Sequence, residues 1–134
     1  MRDSWLSEIR LGPELHGEIP AAFRVEVEPE RDAVRVCPIG EVDLGSVDEV
    51  RTQLEELRAT GFSRLILDLR RTTFLDSSGL RMAVEVNAAA ASDGFEFAII
   101  PGPPPVQRVF ELTGLSSQLP FAVPGSGANG HIWT

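Results

Sequence analysis

Leu65-Ile66-Leu67-Asp68-Leu69 leads through Arg70 to Leu75 into Asp76-Ser77-Ser78-Gly79-Leu80, and this stretch decides how the rest of the chain is read. Leu65 to Leu69 is a short apolar run bounded by polar residues, which predicts a strand. Arg70 to Leu75 reads as a connector. Asp76-Ser77-Ser78 supplies side chains favoured at helix N-caps. Leu80, Ala83, Val84, Ala88 and Ala91 then recur at helical spacing, predicting a helix from Ser77 to about Ser92 with that face on the core. Met82, Val86 and Ala89 form a second apolar stripe beside it. Two hydroxyls therefore fall at a helix N-terminus, where unpaired N–H groups and the helix dipole favour negative charge. The triplet alone fits a simple cap as well as a phosphorylatable switch.

Upstream, Phe23, Val25 and Val27 alternate with Arg24, Glu26 and Glu28, the pattern of a half-buried strand. Pro29 to Asp32 reads as a turn, and Val34 to Ile39 as a second strand antiparallel to the first. Gly40-Glu41-Val42-Asp43 breaks that strand before a helix from about Ser46 to Thr60. Its inward face is Val47, Val50, Leu54 and Leu57, and Gly61 closes it. Downstream, Gly94 ends the second helix, and Phe95, Phe97 and Ile99 mark another strand. After Pro101 to Pro105, a third helix buries Val106, Val109 and Phe110 and stops at Gly114-Leu115. Leu119 to Val123 reads as a short last strand. The fold class is α/β: one mixed sheet of four to five strands with helices packed against it.

That domain spans residues 23–123. Residues 1–22 form an extension carrying Trp5, Leu6, Ile9 and Leu11, read equally as an amphipathic turn on the domain, an extra edge strand or a tail. Residues 124–134 form a glycine-rich tail.

Composition removes several function classes. At 134 residues the chain makes one domain, able to bury about two-thirds of its unfolded surface. No apolar run approaches a membrane span of ~20 residues, so no membrane insertion is expected. Met1 to Trp5 lacks a secretory signal. The single cysteine, Cys37, lies in a predicted strand and fits a reduced cytoplasmic setting. A net charge of -8 argues against nucleic-acid binding. All 12 basic residues are arginine. Without lysine there is no P-loop and no pyridoxal phosphate Schiff base. Gly125 to Gly130 matches G-x-G-x-x-G but has no helix after it. His16 and His131 lie in the flanks, so neither a zinc site nor a base for Ser77 is available. No cofactor or metal is expected.

With Gly40-Glu41-Val42-Asp43, Asp76-Ser77-Ser78-Gly79-Leu80 and Arg108-Val109-Phe110-Glu111-Leu112-Thr113-Gly114-Leu115 in order, the chain resembles a STAS domain. It is most similar to the bacterial anti-sigma-factor antagonists of that family, over about residues 23 to 123. The resemblance implies a non-enzymatic partner-switching module, monomeric when free. The serine after the aspartate, Ser77 here, would be phosphorylated by an anti-sigma factor with serine kinase activity and dephosphorylated by a metal-dependent serine phosphatase. The unmodified form would bind the anti-sigma factor and free the sigma factor for transcription.

Around Ser77, the residues expected to meet the partner are Glu41, Asp43, Asp76, Ser78, Gly79 and Met82. Asp76 would orient the hydroxyl or hold the turn, Ser78 would cap or pack, and Gly79 would let a kinase approach the backbone. Met82 would belong to a patch on the second apolar stripe. For Glu41 and Asp43 a solvated turn is an equal alternative. The competing function classes are a STAS scaffold or accessory subunit of a signalling assembly or transporter, and a small serine hydrolase that lacks its base.

Overall fold

The computed structural model describes residues 23–122; the flanking segments, with His16, His131 and the Gly125–Gly130 match, lie outside them. Strand β1 (Arg24–Glu30) and strand β2 (Ala33–Val42) form an antiparallel hairpin that pairs Glu30 with Ala33. Helix α1 (Val47–Ala59) follows, then β3 (Arg64–Asp68), β4 (Thr72–Leu75), helix α2 (Ser77–Asp93), β5 (Glu96–Ile100), helix α3 (Pro104–Leu112) and a 3-10 turn at Leu115–Ser117. The sheet order is β1-β2-β3-β5, with β4 paired to β2. β3 lies parallel to β2 and to β5.

β4 is a strand within the stretch expected to be a connector. After β3 the chain jogs at Leu69–Arg71, where the Gly40 N–H donates to the Arg71 carbonyl. It then resumes alongside Gly40, Glu41 and Val42. A bulge at Thr73 explains the pattern: Gly40 pairs with Thr72 but Glu41 with Phe74, so Thr72 and Leu75 both turn inward, and the Thr72 hydroxyl donates to the Pro38 carbonyl at 3.0 Å. The expected strand at Leu119–Val123 reduces to a parallel bridge between Ile99 and Phe121, with Val123 outside the described residues.

All three helices feed one core. Val34, Val36, Leu65, Leu67, Phe97 and Ile99 point from the sheet towards Val50 and Leu54 of α1, Met82 and Ala83 of α2, and Val106 and Phe110 of α3. Phe110 meets the Phe121 ring edge-on at 5.0 Å. The inward face of α1 is as expected, with Leu57 partly buried. The face of α2 is not. Gly79, Leu80, Met82, Ala83 and Ala90 are buried, whereas Val84, Ala88 and Ala91 are exposed. Because α2 is apolar around most of its circumference, periodicity cannot choose the stripe. The choice falls to the residue without a side chain: a Cβ on Gly79 would stand 2.7 Å from Leu75 Cγ and 3.1 Å from Val42 Cγ1. Close approach there turns the Gly79–Met82–Ala83 side against β2 and β4. Gly94 closes α2 at φ 81°, a left-handed conformation that a side chain would strain.

Candidate functional site

The carboxyl ends of β2 and β4 place two tight turns side by side. At the end of β4, Asp76 adopts extended backbone and caps α2. Its Oδ1 accepts the Ser78 N–H at 2.9 Å, the Ser78 hydroxyl at 2.5 Å and the Gly79 N–H at 3.4 Å. The Leu44 N–H also donates to it. These donors, the Ser78 hydroxyl foremost, hold the Asp76 carboxyl below the ordinary carboxylate range, against the opposing effect of partial burial. Ser78 is therefore tied into the cap. Ser77, the first residue of the helix, is exposed, and among the described residues no hydrogen bond engages its hydroxyl.

At the end of β2, Ser46 is buried and its hydroxyl donates to the Glu41 carbonyl at 2.6 Å while accepting the Asp43 N–H at 3.0 Å. The Asp43 carboxylate accepts the Gly45 N–H at 3.0 Å. The two turns are joined where the Asp76 N–H donates to the Val42 carbonyl at 3.2 Å. Glu41, Asp43, Asp76, Ser77 and Ser78 thus share one end of the sheet, with Glu41 exposed and Asp43 half-buried.

Two expected contact residues are not on this surface. Met82 is fully buried in the core, because its stripe is the one that faces the sheet. Gly79 is buried against Leu75 and Val42, where its lack of a side chain serves packing rather than access for a kinase. Leu44 and Phe74, to which the sequence reading assigns no role, lie at this end of the sheet, and Val84, expected on the core face of α2, is exposed instead. Leu44 is 79 % exposed in the turn beside Asp76, Phe74 is 48 % exposed on β4 opposite Glu41, and Val84 is 40 % exposed on the outer side of α2. Leu44 carried a signal: a leucine between Asp43 and Gly45 belongs to no apolar face.

A second polar cluster lies at the end of β3. Arg70 holds the buried Asp68 with two hydrogen bonds, 2.9 Å to Oδ1 and 2.7 Å to Oδ2. Burial pushes Asp68 upward, yet these bonds outweigh it and leave the carboxyl below its ordinary range. Cys37 stands 3.8 Å from Asp68, its thiol pushed up to about 11 by burial and then by that carboxylate. A thiol held protonated is unreactive.

The STAS domain family model matches residues 24–123. The chain belongs to that family. This STAS protein is 31% identical over 100 residues to the anti-sigma F factor antagonist of Paenibacillus polymyxa, covering 74% of this chain and 86% of that one. Among solved structures, an anti-sigma factor antagonist from Mycobacterium paratuberculosis superposes with a TM-score of 0.63 at 24% identity, over 77% of this chain and 87% of the other. The Bacillus protein SpoIIAA superposes in its unphosphorylated form with a TM-score of 0.62 at 23% identity, over 81% of this chain and 94% of that one. Its phosphorylated form gives 0.58 at 22% identity, over 81% and 97%. At these identities the superpositions establish a shared fold.

Proposed function

We propose that this STAS domain is an anti-sigma-factor antagonist whose partner choice is set by phosphorylation of Ser77. Unmodified, it binds an anti-sigma factor with serine kinase activity; phosphorylated, it releases that partner until a metal-dependent serine phosphatase removes the group. The protein is substrate and ligand in this cycle, not catalyst.

One observation carries the assignment to Ser77: the two adjacent hydroxyls are differently committed. Ser78 is bound to Asp76, whereas Ser77 is exposed with its hydroxyl unengaged among the described residues. An acceptor in phosphoryl transfer must present a free oxygen in line with the γ-phosphate. Phosphorylation adds a charge of about -1.5 to -2. The helix N-terminus accommodates that charge, so the fold survives. A partner surface shaped for a neutral hydroxyl does not, because the phosphate must be desolvated beside the Asp76 carboxylate. Leu44, Phe74 and Val84 supply the apolar anchors such a contact needs.

The test is incubation with ATP and the cognate anti-sigma kinase, followed by mapping of the phosphate by mass spectrometry. Phosphate on Ser77, absent in Ser77→Ala, is the expected result. No transfer, together with partner affinity unchanged between wild type and Ser77→Glu, would leave a docking scaffold.

A further inference from the structure

The sheet has two faces, and the described helices occupy one. On the other face, Ala33 and Cys37 of β2, Ile66 of β3 and Ala98 of β5 are 4, 6, 2 and 4 % exposed, although none belongs to the core beneath the helices. Ile66 is flanked across the strands by Arg35 and the small Ala98. Neighbours within a sheet shield a side chain laterally; an isoleucine beside an alanine reaches near-complete burial only with a layer above it.

We propose that residues 1–22 are that layer: the N-terminal extension lies across the second face of the sheet and turns an open sheet into a three-layer domain. Trp5, Leu6, Ile9, Leu11, Leu15 and Ile19 give it the apolar content of a core-covering segment. It enters in the right place. Phe23 lies against Gly40 at the start of edge strand β1. From there to β3 is about 10 Å, two strand spacings of ~4.8 Å, a distance spanned by a few extended residues at ~3.3 Å each. The C-terminal residues 124–134 contain few large apolar residues.

Cys37, the only cysteine, sits on the covered face and reports on its cover. In the full chain its alkylation by iodoacetamide should be slow. Leu6→Asp/Ile9→Asp should raise that rate by about tenfold or more without loss of the circular dichroism spectrum. A second reading is independent of that variant's folding. In full-length Trp133→Phe, where Trp5 is the only tryptophan, its emission should be blue-shifted and protected from acrylamide. A rate unchanged by Leu6→Asp/Ile9→Asp in a folded protein overturns the proposal, as does a solvent-like Trp5. If instead Ile132→Asp/Trp133→Asp frees Cys37, the C-terminal tail is the cover. If protection falls on dilution together with the sedimented mass, the cover is a second copy of the chain. Either result also overturns it.

Discussion

Helices α1 and α2 begin side by side, each with a serine at its start, and the two serines have opposite fates. Ser46 is buried, and its hydroxyl holds Glu41 and Asp43 in their turn. Ser77 is exposed because Asp76 has taken over the capping and Ser78 has been drawn in to satisfy Asp76. A serine at a helix start is thus available for chemistry only when a neighbour relieves it of structural duty. Composition at the two starts is similar; the division of labour differs.

The largest effect should come from putting charge on the presented hydroxyl. Ser77→Glu is expected to weaken binding to the anti-sigma partner by about a hundredfold, and Ser77→Ala to bind constitutively, with both melting close to wild type. Titration calorimetry with the kinase domain measures this, and equal affinities would erase the distinction between the two starts. Gly79→Ala tests what holds the second start in place. Alanine normally stabilises a helix, but here its Cβ meets Leu75 and Val42, and we expect a loss of about 2 kcal/mol in urea unfolding. A gain would mean that Leu75 yields freely.

Ser46→Ala should cost about 1–2 kcal/mol, since it strands the partly buried Asp43 N–H, while Ser77 is phosphorylated as before. Altered phosphorylation would show that the two starts act as one unit. Asp76→Ala should cost about 1 kcal/mol and set the Ser78 hydroxyl free, so that phosphate appears on Ser78 as well as Ser77. Asp76 also sets an acid limit. Its folded-state value is depressed, so its contribution is full above the unfolded value of about 4 and is lost as pH falls through the lower folded one. Asp76→Asn should flatten that part of the pH–stability curve.

How far the sequence could be read follows from which signals were unambiguous. The alternation in Phe23 to Val27 and the spacing of Val47, Val50 and Leu54 each admit one orientation, and the hairpin and α1 follow directly. In α2 nearly every position is apolar or small, so two stripes compete; the close approach that Gly79 permits, visible only in three dimensions, settles it and places Met82 in the core. β4 was missed because Arg70 and Arg71 before it look like a loop, although Thr72 to Leu75 has ordinary strand composition. At the site, Ser77 and its cap were legible from local residue types. The apolar rim of Leu44, Phe74 and Val84 was not, because it assembles from three elements distant in sequence.

That rim has an evolutionary consequence. Its side chains stand on backbone already fixed by the Asp76 and Ser46 hydrogen bonds, and they add little to the core. They can be exchanged at small cost to folding. A genome holding several copies of this module could therefore keep parallel lines insulated by varying Leu44, Phe74 and Val84 alone, each copy keeping the same helix start and meeting a different partner.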